Sequence, residues 1–157
     1  MFLTLTSSCS VFYESKNLSE EQYNKLNKEI IENFSKAILK NPNNHLFYLE
    51  RGKAKHDHGD YVGAIKDFKN SFNLNPQNKV IFHIANSKYA YGDHIGAIKD
   101  YEKLILKKNF NDQVFNNIGN SKLILLKYVE AIENYTKYIK YTQKDEYAFL
   151  NRGNARF

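Results

Sequence analysis

Apolar and polar residues alternate along this chain in helical steps of three and four, broken at regular intervals by turn-forming residues. Tyr61, Ala64, Ile65, Phe68 and Phe72 fall on one helical face, and Tyr48, Arg51, Gly52 and Lys55 keep the same spacing before them. Gly59-Asp60 separates these two stretches, and Gly92-Asp93 separates the next two. Gly takes the left-handed conformation that ends one helix. Asp caps the next by accepting a hydrogen bond from a free backbone N–H. Pro42 and Pro76 each follow an apolar stretch and stop it. Nearer the N-terminus, Ser19-Glu20-Glu21-Gln22 is a capping-box signature. The helix it predicts runs through about Leu39, with Tyr23, Leu26, Ile30, Phe34 and Ala37 on one stripe.

The alternation repeats at the level of whole phrases. Residues 59–67 read GDYVGAIKD and residues 92–100 read GDHIGAIKD, identical at seven of nine positions with an offset of 33. A looser copy, LKYVEAIEN, spans residues 126–134. Four columns run through the units: Gly52, Ala85, Gly119, Gly153; Ala64, Ala97, Ala131; Phe68, Tyr101, Tyr135; and Tyr48, Ile81, Phe115, Phe149. Small residues return where large ones would collide, and aromatics return where a gap must be filled, as expected of helices meeting at close, repeated crossings. A period of this length predicts stacked helical pairs rather than one globular core.

Residues 45–78, HLFYLERGKAKHDHGDYVGAIKDFKNSFNLNPQN, resemble the tetratricopeptide repeat, a helix–turn–helix unit, with Tyr48, Gly52, Tyr61, Ala64, Phe68 and Pro76 in register. The resemblance implies an all-α, right-handed helical-hairpin solenoid. It divides into an N-terminal tail (1–18), a capping helix like the second helix of a repeat (19–44), three units (45–78, 79–111, 112–145) and the first helix of a fourth (146–157). Departures are local. Arg51 replaces the usual Leu beside Gly52, Asn109 and Gln143 stand in place of the terminal Pro, and Leu126-Lys127 replaces Gly-Asp in the third turn. Gly63 and Gly96 occupy a slot that often holds Glu, as Glu130 does, and are expected to weaken their helix starts. The apolar character of residues 146–157 leads us to expect an array that continues beyond Phe157, the alternative being that this last helix closes the array.

Composition narrows the function classes. The 157 residues carry a net charge of +6, with 42% hydrophobic and 15% aromatic content, enough for a buried core. The positive charge is almost all Lys, with Arg51, Arg152 and Arg156 as the arginines, which suits a solvated lysine surface better than a clustered nucleic-acid footprint. Nucleic acid is therefore not the expected partner. Cys9 is the only cysteine, so neither an internal disulfide nor a Cys-based metal site is expected. MFLTLTSSCS resembles the tail of a bacterial lipoprotein signal ending at Cys9. Two readings stay open: a frayed N-terminus with an inert thiol, cytoplasmic if Met1 is the true start, or a cell-envelope lipoprotein held to the membrane at Cys9.

No catalytic motif and no phosphate-cradling loop is present, so neither an enzyme nor a cofactor is expected. His56 and His58, two apart on a helix, point to nearly opposite sides, so no metal site is expected there. The family resemblance implies a concave groove lined by the first helices. Its ligand slots fall on Leu46, Leu49, Lys53 and His56; on Lys79, Phe82, Asn86 and Tyr89; on Gln113, Asn116, Asn120 and Leu123; and on Tyr147, Leu150 and Asn154. Amides donate to and accept from an extended peptide, and Phe82 and Tyr89 offer apolar anchors. The family's carboxylate-clamp subtype is not expected, because Phe82, Gln113 and Asn117 stand where its charged donors would be. The expected function is non-catalytic binding of a protein or peptide in a scaffold or assembly role. The alternatives are the interaction arm of a larger enzyme, such as a fused transferase, and RNA binding through a lysine-rich face.

Overall fold

A computed structural model of the chain describes residues 18–107, 112–142 and 146–155. Cys9, Asn109, Gln143, Arg156, Phe157 and the side chain of Tyr147 lie outside the described residues, and so do the expectations resting on them. Among the described residues there are eight α-helices and no strand: α1 (Glu20–Lys40), α2 (His45–Asp57), α3 (Tyr61–Leu74), α4 (Asn78–Tyr91), α5 (His94–Leu106), α6 (Gln113–Ile124), α7 (Tyr128–Thr142) and α8 (Glu146–Asn154). Each helix packs on the next in the chain, and α2 also touches α4. The core therefore extends along the stack, each unit burying the face of its neighbour. None of these helices is long and apolar enough to cross a membrane.

The turns follow the local chemistry. Both halves of the capping box form at α1: Gln22 N–H donates to Ser19 Oγ, and the Ser19 N–H donates to Gln22 Oε1. Gly59 and Gly92 adopt left-handed φ of 85° and 94°. The Asp60 and Asp93 carboxylates accept from the Gly63 and Gly96 N–H at 2.9 and 2.8 Å. A Cβ at either of those glycines would collide with the capping carboxylate itself. Glycine thus gives Asp room to fold over the helix start, a reason for the residue that its propensity alone does not disclose. The third turn has no glycine, and Leu126 takes the left-handed region at φ 59°. For a residue with a Cβ that conformation costs about 1–2 kcal/mol.

Close crossings explain the small-residue column. A Cβ at Gly52 would lie 2.7 Å from the Phe68 ring, and one at Gly119 would lie 2.6 Å from the Tyr135 ring. In the middle unit Ala85 and Tyr101 share the central cluster with Ile81, Ala97, Leu104, Val114 and Ile118.

Arg51, unusual at its slot, has a partner. Its Nε and Nη2 grip the Asp67 carboxylate at 2.8 and 2.7 Å, and its Nη1 donates to Ser35 Oγ on α1 at 3.1 Å. Lys55 adds a second cation at 2.8 Å, and the Asp67 side chain is only 1% exposed. The last residue of the GDYVGAIKD phrase is therefore a buried anion that ties α1, α2 and α3 together. One unit on, Asp100 binds Lys88 and Lys103, each at 2.6 Å. Burial pushes the Asp100 carboxyl up, but the hydrogen bonds from Lys103 and Lys88 outweigh it and hold its pKa below the usual value. In the third unit the same slot holds Asn134, buried, donating to the Glu130 carbonyl at 2.7 Å. Lys122, in the column of Lys55 and Lys88, turns instead to Glu130 at 3.0 Å. The acid has moved one turn along the helix, into the slot of Gly63 and Gly96.

Candidate functional site

The first helices α2, α4, α6 and α8 carry the slots expected to meet a ligand. Side chains link these helices directly: His56 Nδ1 lies 2.9 Å from Ser87 Oγ, Asn117 Nδ2 donates to Asn86 Oδ1 at 3.2 Å, and Asn151 Nδ2 donates to Asn120 Oδ1 at 3.4 Å. The candidate residues thus sit along or beside a seam between successive first helices.

They differ widely in availability. Lys79, Leu150 and Asn154 are exposed, as is Leu46. Lys53, His56, Phe82, Asn86, Tyr89, Asn116, Asn120 and Leu123 are half-buried. Leu49 corrects the expectation: it is 2% exposed, packed with Ala64, Phe68, Val80 and Ile84, and offers no surface to a ligand. Its slot faces inward in the first unit because α3 and α4 both close over it. Lys53 pairs with Glu50 at 2.8 Å, both about two-fifths exposed, a contact worth little in water. Phe82 meets the Tyr101 ring edge-on at 5.9 Å, and Tyr89 meets His94 at 5.2 Å. Leu123 packs against the Ala131–Tyr135 cluster.

The amide column has a structural task. Asn86 Oδ1 accepts from the Tyr101 hydroxyl at 2.5 Å as well as from Asn117. Asn120 Oδ1 accepts from the Tyr135 hydroxyl at 2.8 Å as well as from Asn151. Each triad joins a second helix to the first helices of its own and the following unit. Desolvation raises both tyrosines, Tyr101 well above its ordinary value and Tyr135 to about 12, so both hydroxyls remain donors. The first unit has Phe68 in this aromatic column. It has no hydroxyl to satisfy, and the partner slots hold Lys53 and His83 instead. The His83 ring stacks on Phe68 at 5.2 Å and 20°. Burial, then repulsion from Lys53 and His56, lowers the His83 pKa to about 4.

Sequence reasoning missed His83, Asn117 and Asn151, which share one slot, and it missed the burial of Asp67 and Asp100. A signal was present: in that slot the amide appears where the aromatic column carries a hydroxyl, and histidine where it does not. Gln113 accepts from the Tyr138 hydroxyl at 3.1 Å and donates to Asn117 at 3.5 Å. Asn116 stands apart, because its Oδ1 is shielded from solvent and accepts no hydrogen bond from any described residue. Among the described residues no three metal-ligating groups cluster.

No family model and no curated protein matches this sequence. Solved structures do match in fold. The crystal structure of MamA superposes with a TM-score of 0.74 at 19% identity, over 88% of this chain and 83% of that one. The Arabidopsis OM64 TPR domain gives 0.66 at 17% identity over 71% and 93%. YrrB, described as a TPR protein with an unusual peptide-binding site, gives 0.65 at 16% identity over 78% and 63%.

Proposed function

We propose that this solenoid, which has the tetratricopeptide-repeat fold, is a non-catalytic binding module that takes an extended segment of a partner protein along its first helices. The observation that carries the reading is the Asn116 carbonyl oxygen, shielded and without a donor, in a chain whose neighbouring amides are all spoken for. A shielded acceptor without a donor costs about 1–3 kcal/mol. Asn116 is half-buried as a residue, and rotation of its side chain would bring this oxygen to a backbone N–H of an extended peptide. Phe82, one unit earlier in the same slot, offers part of an aromatic face for an apolar side chain, and Lys79 and Asn154 supply exposed polar contacts nearby along the helices. Asn86 and Asn120 then hold the wall in place rather than touch the ligand. Lys53, His56, Tyr89, Leu123 and Leu150 remain candidates at the rim. A scaffold or assembly role follows from binding without chemistry.

The test is selection of peptides from a random displayed library on the immobilised protein, followed by affinity measurement. Asn116→Leu and Lys79→Glu should each weaken the selected peptides at least about tenfold, while Lys66→Glu on α3 should leave them unchanged. Peptides that respond to Lys66→Glu and ignore both first-helix variants would end this reading.

A further inference from the structure

Three slots at the turn edge of each unit are open to solvent. They hold Asp57, Gly59 and Val62 in the first unit, Ala90, Gly92 and Ile95 in the second, and Ile124, Leu126 and Val129 in the third, every one of them exposed. In the first two units the slots stay exposed although another helix pair follows, so the exposure belongs to the slots themselves. Their occupants change along the array from polar and small to large and apolar. Leu126 is 69% exposed, Val129 73%, and Ile95, in the slot of Val129 one unit earlier, 59%. Leu126 also takes the left-handed backbone region at φ 59°, where the other two turns carry glycine. A strained residue that presents an apolar side chain to water serves no packing within the chain, and an apolar patch of this kind marks a contact surface.

The charges beside the patch point to what covers it. Four residues after Val62, Ile95 and Val129, on the same helical face, stand Lys66, Lys99 and Glu133. All three are exposed, and none is ion-paired to a described residue. The sign reverses between the second unit and the third. Ile95 with Lys99 on α5 therefore complements Val129 with Glu133 on α7 under a two-fold axis passing between these units. α5 of one copy then lies across α7 of the other, apolar meets apolar, and lysine meets glutamate twice. The same operation between the first and second units would set Lys66 against Lys99. An anionic membrane or a nucleic acid suits this rim less well, because Asp93 and Glu133 are exposed within it.

We propose that the chain forms a two-fold dimer through the outer face of its second and third units, with Ile95, Leu126 and Val129 at the centre and Lys99–Glu133 pairs at the rim. A two-fold contact uses the same patch on both copies, so it closes at two. The apolar centre supplies affinity, and the paired charges fix the register. The contact lies on second helices and turns, so it neither uses nor blocks the first-helix slots.

Sedimentation of the full chain over a concentration series should show monomer and dimer and nothing larger. Leu126→Gly removes the apolar tip and relieves the left-handed leucine, so helicity and melting are kept or raised while dimerisation weakens at least about tenfold. Lys99→Glu and Glu133→Lys, both at exposed positions, should each weaken it at least about tenfold by setting like charges opposite one another. A one-to-one mixture of these two charge variants should dimerise about as tightly as wild type, because every like pair becomes an opposite pair in the mixed dimer. A non-specific apolar contact would lose affinity on Leu126→Gly and regain none in the mixture. A wild-type chain that stays monomeric would overturn the proposal, including one that instead binds vesicles of anionic lipid through Leu126. So would species larger than a dimer, a dimer indifferent to Leu126→Gly, or a mixture no tighter than its two components.

Discussion

The first and third units are built on the same columns, yet different chemistry holds their helix pairs together. In the first, Asp67 is buried between Arg51 and Lys55, and its turn carries Gly59 and a capping Asp60. In the third, the buried slot holds Asn134, the acid is the half-exposed Glu130, and Leu126 takes the left-handed turn. A buried carboxylate gripped by two cations is a strong constraint on geometry, because removing one partner leaves charge stranded out of water. A surface pair is a weak one. The same hairpin can thus be locked by a buried ion cluster or by packing with an ion pair nearer the surface, and the difference should appear in how each unit tolerates substitution.

The largest contrast is at the acids. Asp67→Ala should destabilise the chain by about 3–5 kcal/mol in urea unfolding, since Arg51 and Lys55 lose their counter-ion in a mostly buried site. Glu130→Ala should shift the same curve far less. Equal losses would mean that burial of the acid does not separate the two units. At the helix crossings, Gly119→Ala should cost about 1–3 kcal/mol by pressing on the Tyr135 ring. Gly153→Ala, facing open space, should be neutral or stabilise by up to about 1 kcal/mol. The two melting shifts should therefore differ in sign or clearly in size. In the third turn, Leu126→Gly should raise stability by up to about 1 kcal/mol by relieving the left-handed leucine, and Gly92→Leu should do the reverse in the second.

The smallest effect distinguishes the seams between units. His83, between units one and two, has a pKa lowered to about 4 by burial and by Lys53 and His56. The unfolded chain takes up a proton near the ordinary value of about 6.5, and the folded chain does not. Stability from the neutral ring is therefore full above about 6.5 and falls as pH drops through that value, levelling near 4 where the folded ring also protonates. Asn117 in the same slot of the next unit has no such titration. His83→Gln should flatten that part of the stability–pH curve; an unchanged slope would assign the dependence to other groups.

Much of the architecture was legible in advance because it rests on local or periodic properties. Helix spacing, the Gly-Asp turns, the Ser19 capping box and the alternation of small and aromatic columns all act within one helix or between slots that repeat. The candidate surface was legible only as a set of slots. Leu49 fits the pattern of a ligand residue and is core, because α3 and α4 close over it. Asn86 and Asn120 look like free amides, but tyrosine hydroxyls from the second helices claim their oxygens.

By itself, the sequence determined the order of helices, where they turn and which residues share a column, since these follow from spacing along one chain. Tertiary structure alone decided which members of a column are spent on the scaffold and which stay open. A side chain's availability depends on what stands opposite it: a hydroxyl on Tyr101, two cations around Asp67, and open space above Gly153.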